Sequence, residues 1–477
     1  MAINGQYNLV KRLAWEPSYV ENEEVYPGSA TAGIFAKDWD AWEDPFHMNY
    51  RRYIEVQAKK EFSFHPTRES FARFDDVDRV DRRWLEGVKI VYPYLLLGEY
   101  GANRGHARVS RYAPAPALRQ AAFYQSIDEL RHSQNHIYQL RVLNQAGDEG
   151  YDGWSDWMRK HFLLRPSRQV FEDMLSCDNI FESIVALNLA VEVGFTNLIF
   201  IAIPHTAANN GDTALAQEFL TTQSDETRHM AIGQSTVRTL LEADDRNLDR
   251  IQYWFDKWFW LNHRAVAGPV SLLIDYFGRN KSMSFKEAYQ RYVIENFIGG
   301  MVEDLGKFGL KAPWMLDHAR TEIDDLSHSL FRTLYMYKGV LFNKMFEPNE
   351  HDMGFFHEHY SNFDQNHGKF WQEVADGDTK DMAVLPMLCQ VCQFPVSYPL
   401  PETASVKVRE RQGQVYSFCS EPCAWIFDNE PVRYSKAVTM DKLLTGMDVP
   451  EIRAYMGLRA GHGGLIDPKF NTVPTAA

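Results

Sequence analysis

The sequence predicts a mainly α-helical protein with a small β-containing module toward its C-terminal end, and three observations predict it. From about residue 81 to residue 345, apolar residues recur every three or four positions through long stretches of helix formers, with short polar or Gly/Pro breaks between them. After about residue 385 the texture changes to short alternating runs, LCQVCQFPVSYPL and VKVRERQGQVYSFCS, separated by turn residues. Finally, 477 residues at 45% hydrophobic and 24% charged are enough for a large buried core and ordinary for a globular chain.

The elements follow in order. Residues 1–80 are rich in aromatics, prolines and charge, with Trp39, Trp42 and Pro45 in DWDAWEDPF, and read as an extended or partly helical arm that wraps a core. Residues 81–385 form the helical domain, with at least six long helices. Within it, Ile184 to Ile203 is long and apolar enough to raise a membrane span, but Asn188, Glu192, Thr196 and Asn197 lie inside it and no basic cluster flanks it closely. A carboxylate in mid-span is costly in lipid, so a buried core helix is expected. Residues 386–435 form the cysteine module and 436–477 a tail. The tail segment GLRAGHGGLIDP neither follows a strand nor has the G-x-G-x-x-G spacing, so any redox chemistry here draws its electrons from another protein. Lys+Arg 50 against Asp+Glu 64 gives a net charge of −14, which removes the electrostatic footprint of a general nucleic-acid or anionic-membrane binder. Met1 to Pro17 lacks the apolar run and small-residue cleavage site of a signal peptide, so a cytoplasmic location is expected.

The strongest chemical signal is a repeated pentapeptide, Asp128-Glu129-Leu130-Arg131-His132 and Asp225-Glu226-Thr227-Arg228-His229. A given D-E-x-R-H arises about once in 10⁵ positions at ordinary residue frequencies, so two copies 97 residues apart are not a product of composition. On a helix, positions i and i+3 share a face, so each motif presents one carboxylate and one imidazole to the same point. A single acid precedes each motif in apolar surroundings: Glu99 in PYLLLGEYGA, 30 residues before Glu129, and Glu192 in ALNLAVEVGFTN, 34 residues before Glu226. A buried carboxylate must be neutralised, paired or bound to metal, and the same count recurring twice in the same order favours metal. A lone Glu followed by Glu-x-x-His, twice, is the ligand pattern of ferritin-like di-iron carboxylate bundles. Four carboxylates with two imidazoles suit iron or manganese.

Surface i,i+3 pairs with chance acids in core helices would predict polar surroundings, which Glu192 lacks. Asn188, Glu192 and Thr196 instead recur every four residues as one polar stripe on an apolar helix. Asp128 and Asp225 can orient the ligand imidazoles. Arg131 and Arg228 either pair with those aspartates or lie on a solvated face. Asp325-Leu326-Ser327-His328 repeats the i,i+3 spacing without a preceding lone acid or a second copy, and is read as structural.

Cys389-x2-Cys392, 26 residues, then Cys419-x3-Cys423 is a spacing that suits one tetrahedral, closed, structural zinc ion in a reducing compartment. Cys177 stands alone and reads as a small buried hydrophobe.

With these motifs in view, the chain resembles the hydroxylase large (alpha) subunit of bacterial multicomponent di-iron monooxygenases, most closely the phenol hydroxylase branch, with toluene monooxygenases next. The resemblance runs through LAWEPSY, DWDAWEDPF, GEYGANRG, SIDELRH, EVGFTN, QSDETRHM, DKWFW, LCQVCQFPV and FCSEPC in that order. It implies a ferritin-like bundle in which Glu99, Glu129, His132, Glu192, Glu226 and His229 hold two irons, three ligands each. It implies that Thr196 assists oxygen activation and proton transfer, and that Asn197 and Gln223 lie near a pore for protons or water. It also implies a substrate pocket matched or flanked by Leu95, Gly98, Ala102, Leu187, Val191, Phe195 and Phe200. The expected reaction inserts one atom of O₂ into a small aromatic, phenol to catechol or benzene and toluene to phenols. Electrons would come from a separate NADH-dependent reductase carrying FAD and a 2Fe-2S cluster. Beta and gamma hydroxylase subunits in an (αβγ)₂ assembly and a small effector protein are the implied partners. An alkene or alkane monooxygenase of the same architecture is the nearest alternative, and a ferroxidase or iron-binding protein the alternative of another class.

Overall fold

In the computed structural model of the chain, the described residues are 3–13, 15–73, 76–143, 164–337, 344–378, 387–396, 405–437, 444–448 and 450–452. The glycine-rich tail segment lies outside them.

Helix α1 (Tyr50–Arg73) crosses the outside of a bundle made by α2 (Arg82–Tyr112), α3 (Pro116–Leu143), α5 (Ile180–Asn209) and α6 (Thr213–Ala243), with the shorter α4 (Arg165–Leu175) between the two halves. Local chemistry sets the ends of these helices. The Asp81 side chain caps α2 by accepting from Trp84 N, and α2 stops at Ala113, where Pro114 forbids a further helical turn. Pro116 then opens α3, a position where its missing N–H costs nothing. Between α5 and α6, Gly211 takes a φ of +85°, and Asp212 caps α6 through Leu215 N while also accepting from Trp84 Nε1 at 3.2 Å. One side chain thereby ties the start of α6 to the start of α2.

The apolar α5 is long enough to cross a membrane by composition, and it is the central, mostly buried helix of the bundle. It approaches α6 so closely that a Cβ on Gly233 would lie 2.4 Å from Asn188 Cβ. Its winding is not uniform, since residues Val185–Val193 and Leu198–Ala202 form π-type turns. Helix α7 (Asn247–Asn262) covers the bundle with the fully buried Trp258, Phe259 and Trp260, and runs on through a π-type turn, His263–Ala267. Farther on, α8 (Leu326–Tyr337) carries His328, enclosed by Phe356, Tyr360 and Phe363 with its Nδ1 2.9 Å from Tyr276 Oη. Asp325 instead meets His367 Nε2 at 2.9 Å, so the Asp325/His328 pair forms no common site.

The C-terminal module is a hairpin, β1 (Lys407–Arg411) and β2 (Gln414–Phe418), antiparallel from Lys407↔Phe418 to Arg411↔Gln414, followed by α9 (Glu421–Asn429). Gln412 and Gly413 both have positive φ, 53° and 74°, as a tight two-residue hairpin turn requires. The architecture is the mainly helical one with a small β module that the sequence predicts.

Candidate metal centre

Four helices each deliver their part of one buried cluster: α2 brings Glu99, α3 Glu129 and His132, α5 Glu192, and α6 Glu226 and His229. One ligand-type atom from each of Glu99, Glu129, His132 and Glu226 lies within 4.8 Å of the others, and the same holds for Glu129, Glu192, Glu226 and His229. Glu129 and Glu226 belong to both groups. Two metal positions that share two carboxylates, each completed by one imidazole and one further carboxylate, is the arrangement this donor set can hold.

The imidazoles face inward by Nδ1. His132 Nδ1 stands 3.4 Å from Glu99 Oε2, Glu129 Oε2 and Glu226 Oε1. His229 Nδ1 stands 3.2 Å from Glu129 Oε1, 3.6 Å from Glu192 Oε1 and 3.3 Å from Glu226 Oε2. Yet His132 Nδ1, Glu129 Oε1 and Glu226 Oε1 are buried without a hydrogen-bond partner. Buried polar atoms aimed at one another without hydrogen-bond geometry are what a cation between them would satisfy. Burial works against the charged form of both imidazoles, but Asp225, Glu129 and Glu99 around His132, and Glu226, Asp128 and Glu129 around His229, hold both well above the ordinary range. Burial and the facing Glu226 push the Glu129 carboxyl well up. The cluster calls for positive charge, and without metal only protons can supply it.

The outward ring nitrogens are held crosswise. His132 Nε2 lies 3.3 Å from Asp225 Oδ2, and His229 Nε2 lies 3.2 Å from Asp128 Oδ2, so each repeat's aspartate orients the other repeat's imidazole. The arginines cross as well: Arg131 pairs with Asp225 and Arg228 with Asp128. Arg228 is buried, so its pairing role applies and a solvated-face role does not. Helix α1 closes the network. Gln57 Nε2 donates to Asp128 Oδ1 at 2.8 Å and to Asp225 Oδ1 at 2.7 Å, Tyr53 Oη donates to Asp128 Oδ1 at 2.8 Å, and Lys60 pairs with Asp225.

Other supports lie inside the bundle. Glu192 is gripped on both oxygens, Oε1 by Gln125 Nε2 at 2.9 Å with His106 Nε2 at 3.3 Å, and Oε2 by Asn188 Nδ2 at 2.9 Å. Glu99 Oε1 meets His136 Nε2 at 3.5 Å, and His136 Nδ1 in turn meets Glu218 Oε1 at 2.9 Å. None of Tyr53, Gln57, Lys60, His106, Gln125, His136 or Glu218 was singled out by sequence reasoning. A helical-face argument reaches His106, two turns from Glu99 on α2, and Gln125 and His136, one turn from Glu129 and His132 on α3. The residues of α1 carry no such signal.

The cluster opens on a largely apolar cavity. Its lining includes Leu95, Gly98, Ala102, Leu187, Val191, Thr196 and Phe200 together with Glu99, Glu129, Glu192 and Glu226. Tyr94, Val170, Phe171, Ile199, Asn262, Ala265 and Val266 complete it. Phe195 is not on this wall; its ring packs 6.0 Å from Phe259 and 6.4 Å from Tyr289. On α5 the cavity takes residues 187, 191, 192, 196, 199 and 200, while Phe195 faces away, in a helix that carries π-type winding through this stretch. Thr196 Oγ1 donates to Val191 O at 3.1 Å, five residues back. Asn197 and Gln223 are off the cavity and bond to each other, Gln223 Nε2 to Asn197 Oδ1 at 2.8 Å.

A second donor set lies in the C-terminal module. The sulfurs of Cys389, Cys392, Cys419 and Cys423 are buried, unpaired by disulfides and within 4.8 Å of one another. Hydrogen bonds from the other three hold the Cys419 thiol well below its ordinary value, while burial pushes Cys392 and Cys423 up. Four buried sulfurs this close together are a donor set that a tetrahedral dication would complete. Cys177 is buried alone, as a small hydrophobe.

The family model described as methane/phenol/alkene hydroxylase matches residues 15–244, and that of the YHS domain matches residues 395–438, which include Cys419 and Cys423. The chain is 32% identical over 438 residues, 90% of its length and 84% of the relative's, to the oxygenase component of phenol 2-monooxygenase from Pseudomonas sp. (strain CF600). It is 26% identical to the oxygenase component subunit alpha of the alkene monooxygenase system of Xanthobacter autotrophicus, over 95% of this chain and 93% of that one. Its fold is similar to the crystal structure of xenon-pressurized phenol hydroxylase from Pseudomonas sp. OX1, with a TM-score of 0.86 at 31% identity, covering 96% of this chain and 92% of that chain.

Proposed function

The chain belongs to the methane, phenol and alkene hydroxylase family, and on that premise we propose that it is the oxygenase subunit of a multicomponent di-iron monooxygenase that hydroxylates a small aromatic, phenol to catechol or benzene and toluene to phenols. Glu99, Glu129, His132, Glu192, Glu226 and His229 would hold the two irons, Glu129 and Glu226 being the two side chains common to both donor groups. The observation that carries this reading is the pair of four-residue donor groups with two carboxylates in common, opening directly on an apolar cavity. Cys389, Cys392, Cys419 and Cys423 hold one structural zinc.

Bound iron supplies reductive use of O₂ and delivery of one oxygen atom to an aromatic C–H bond. The chain's own side chains do the rest. Leu95, Ala102, Leu187, Val191, Phe171 and Phe200 exclude water and hold a planar ring beside the four carboxylates. The Thr196 hydroxyl donates to Val191 O and lines the cavity, so its lone pairs can accept a hydrogen bond from a group bound there. Asp128 and Asp225 fix the two imidazoles in the tautomer that leaves Nδ1 free for metal. Asn197 and Gln223, bonded across α5 and α6, stand in the path by which protons or water pass between them.

Two electrons per turnover come from a separate NADH-dependent reductase with FAD and a 2Fe-2S cluster, and the working assembly adds beta and gamma subunits, as (αβγ)₂, and a small effector protein in the cytoplasm. The relatives' own descriptions as an oxygenase component and a subunit alpha support a multicomponent setting. The higher identity to the phenol enzyme, 32% against 26% for the alkene enzyme, favours the aromatic substrate. The apolar cavity at the carboxylates favours an organic substrate over iron storage. The reconstituted complex, supplied in turn with phenol, toluene and propene, is expected to form catechol and cresols faster than propene oxide, with about two irons and about one zinc per chain by elemental analysis. Zinc without iron, or NADH consumption with no oxygenated product, would sink the reading.

A further inference from the structure

The cysteine module lies against the helices that wall the reaction cavity. On α7, one face carries Trp260, whose Nε1 donates to Cys423 Sγ at 3.2 Å. The segment that follows lines the cavity with Asn262, Ala265 and Val266. The Arg264 guanidinium lies between, 4.4 Å from the Trp260 ring centre and 5.1 Å from that of Phe394, and Phe394 O accepts from Cys389 N at 2.7 Å within the first cysteine loop. Lys257, fully buried one turn before Trp260, donates to Glu430 Oε1 at 2.6 Å, just past α9. The adjoining wall is α4, which meets that segment where Ser167 Oγ donates to Ala265 O at 3.0 Å and lines the cavity with Val170 and Phe171. There Tyr434 Oη donates to Asp173 Oδ2 at 2.9 Å and Arg433 Nε to Asp173 Oδ1 at 3.1 Å.

We propose that the metal-loaded cysteine module is a brace that fixes the spacing of α4 and α7, and so determines which ring carbon of the substrate faces the carboxylates. Trp260 and Tyr434 are its positioning residues. A thiolate cluster held by one tetrahedral ion is a rigid body, whereas four buried thiols are not, and the contacts at Cys423, Phe394 and Tyr434 transmit that rigidity to both walls. Selectivity between ring positions turns on displacements of a fraction of an ångström, which a wall shift supplies without touching the donor set at the carboxylates. The inference rests on the reading that the four cysteines hold zinc in an aromatic oxygenase.

The test compares the reconstituted wild-type complex with Trp260→Phe, which removes the N–H together with part of the indole and keeps an aromatic ring, and Tyr434→Phe, which loses only the hydroxyl. Zinc and iron content, the ortho, meta and para cresol ratio from toluene, and amide hydrogen exchange across 254–268 and 165–175 are read for each, with exchange in 180–209 as the check that the bundle stays folded. The expected result is unchanged iron, a cresol ratio shifted by about threefold or more, and exchange about tenfold faster in the wall segment each variant releases. Zinc loss accompanied by those changes supports the brace equally. Wild-type cresol ratios and wall exchange in both variants, with zinc kept or lost, overturn it. A wild-type chain without zinc removes the metal reading instead, and one with zinc but no hydroxylation removes the oxygenase reading while the exchange data still decide the brace.

Discussion

Thr196 shows how much a single hydroxyl is asked to do. It bonds a backbone carbonyl, as any helix threonine can, and it also lines the cavity with Glu99, Glu129, Glu192 and Glu226. Thr196→Val keeps the shape and removes the hydroxyl, so iron content should stay at the wild-type level while product formed per NADH falls by roughly half or more, with Thr196→Ser restoring it. Iron loss in the valine variant would contradict this placement. Gln57 offers a second test, because one amide nitrogen serves both Asp128 and Asp225. Tyr53 and Lys60 remain as partners, so Gln57→Leu is expected to lower stability by about 1–2 kcal/mol, read as a lower thermal midpoint of the iron-loaded protein with both irons still bound. At this scale the sequence was legible where chemistry repeats: two D-E-x-R-H motifs and two isolated acids locate the six donors. It was silent on Tyr53, Gln57 and Lys60, since they meet aspartates 71 to 168 positions away in the chain and no local spacing encodes such a meeting.

At the scale of the helix, the contact between α5 and α6 governs the centre. Gly233 lets α6 approach Asn188, and Asn188 Nδ2 holds both Glu192 Oε2 at 2.9 Å and His229 O at 3.2 Å. Gly233→Ala should therefore separate the helices, with a loss of about 1–3 kcal/mol in unfolding free energy and a fall in bound iron, measured by denaturant titration and elemental analysis. A variant as stable and as iron-rich as wild type would show that the close approach is not needed. The same helix carries the displaced Phe195. Phe195 comes to the pocket by resemblance and not by a residue pattern, and its ring instead packs on Phe259 and Tyr289, while Thr196, on the four-residue stripe with Asn188 and Glu192, lines the cavity. Apolar composition alone left α5 open to two solvents, lipid or protein; its polar stripe decided for protein, and Asn188 and Glu192 are spent on the interior.

For the molecule as a whole, the bundle holds four carboxylates and two imidazoles in a space that protons alone fill poorly. Metal that binds the folded chain and not the unfolded one raises stability by mass action. Stripping iron with a chelator under reducing conditions should lower the thermal midpoint by roughly 5–10 °C, recovered when ferrous iron is restored. An unchanged midpoint would mean that the helices close without the ions. The change of period near residue 385 falls outside the described residues, and the contacts between the cysteine module and the helices were not readable in sequence, because Trp260, Arg264 and Asp173 look there like ordinary core and surface positions.

The crossed aspartates carry a consequence for anyone who would borrow this chemistry. Neither D-E-x-R-H helix is a self-sufficient cassette: His132 depends for its orientation on Asp225, and His229 on Asp128. A single copy grafted onto a foreign bundle would arrive with its imidazole unsteered and its aspartate pointing at a stranger, so the two copies have to travel together.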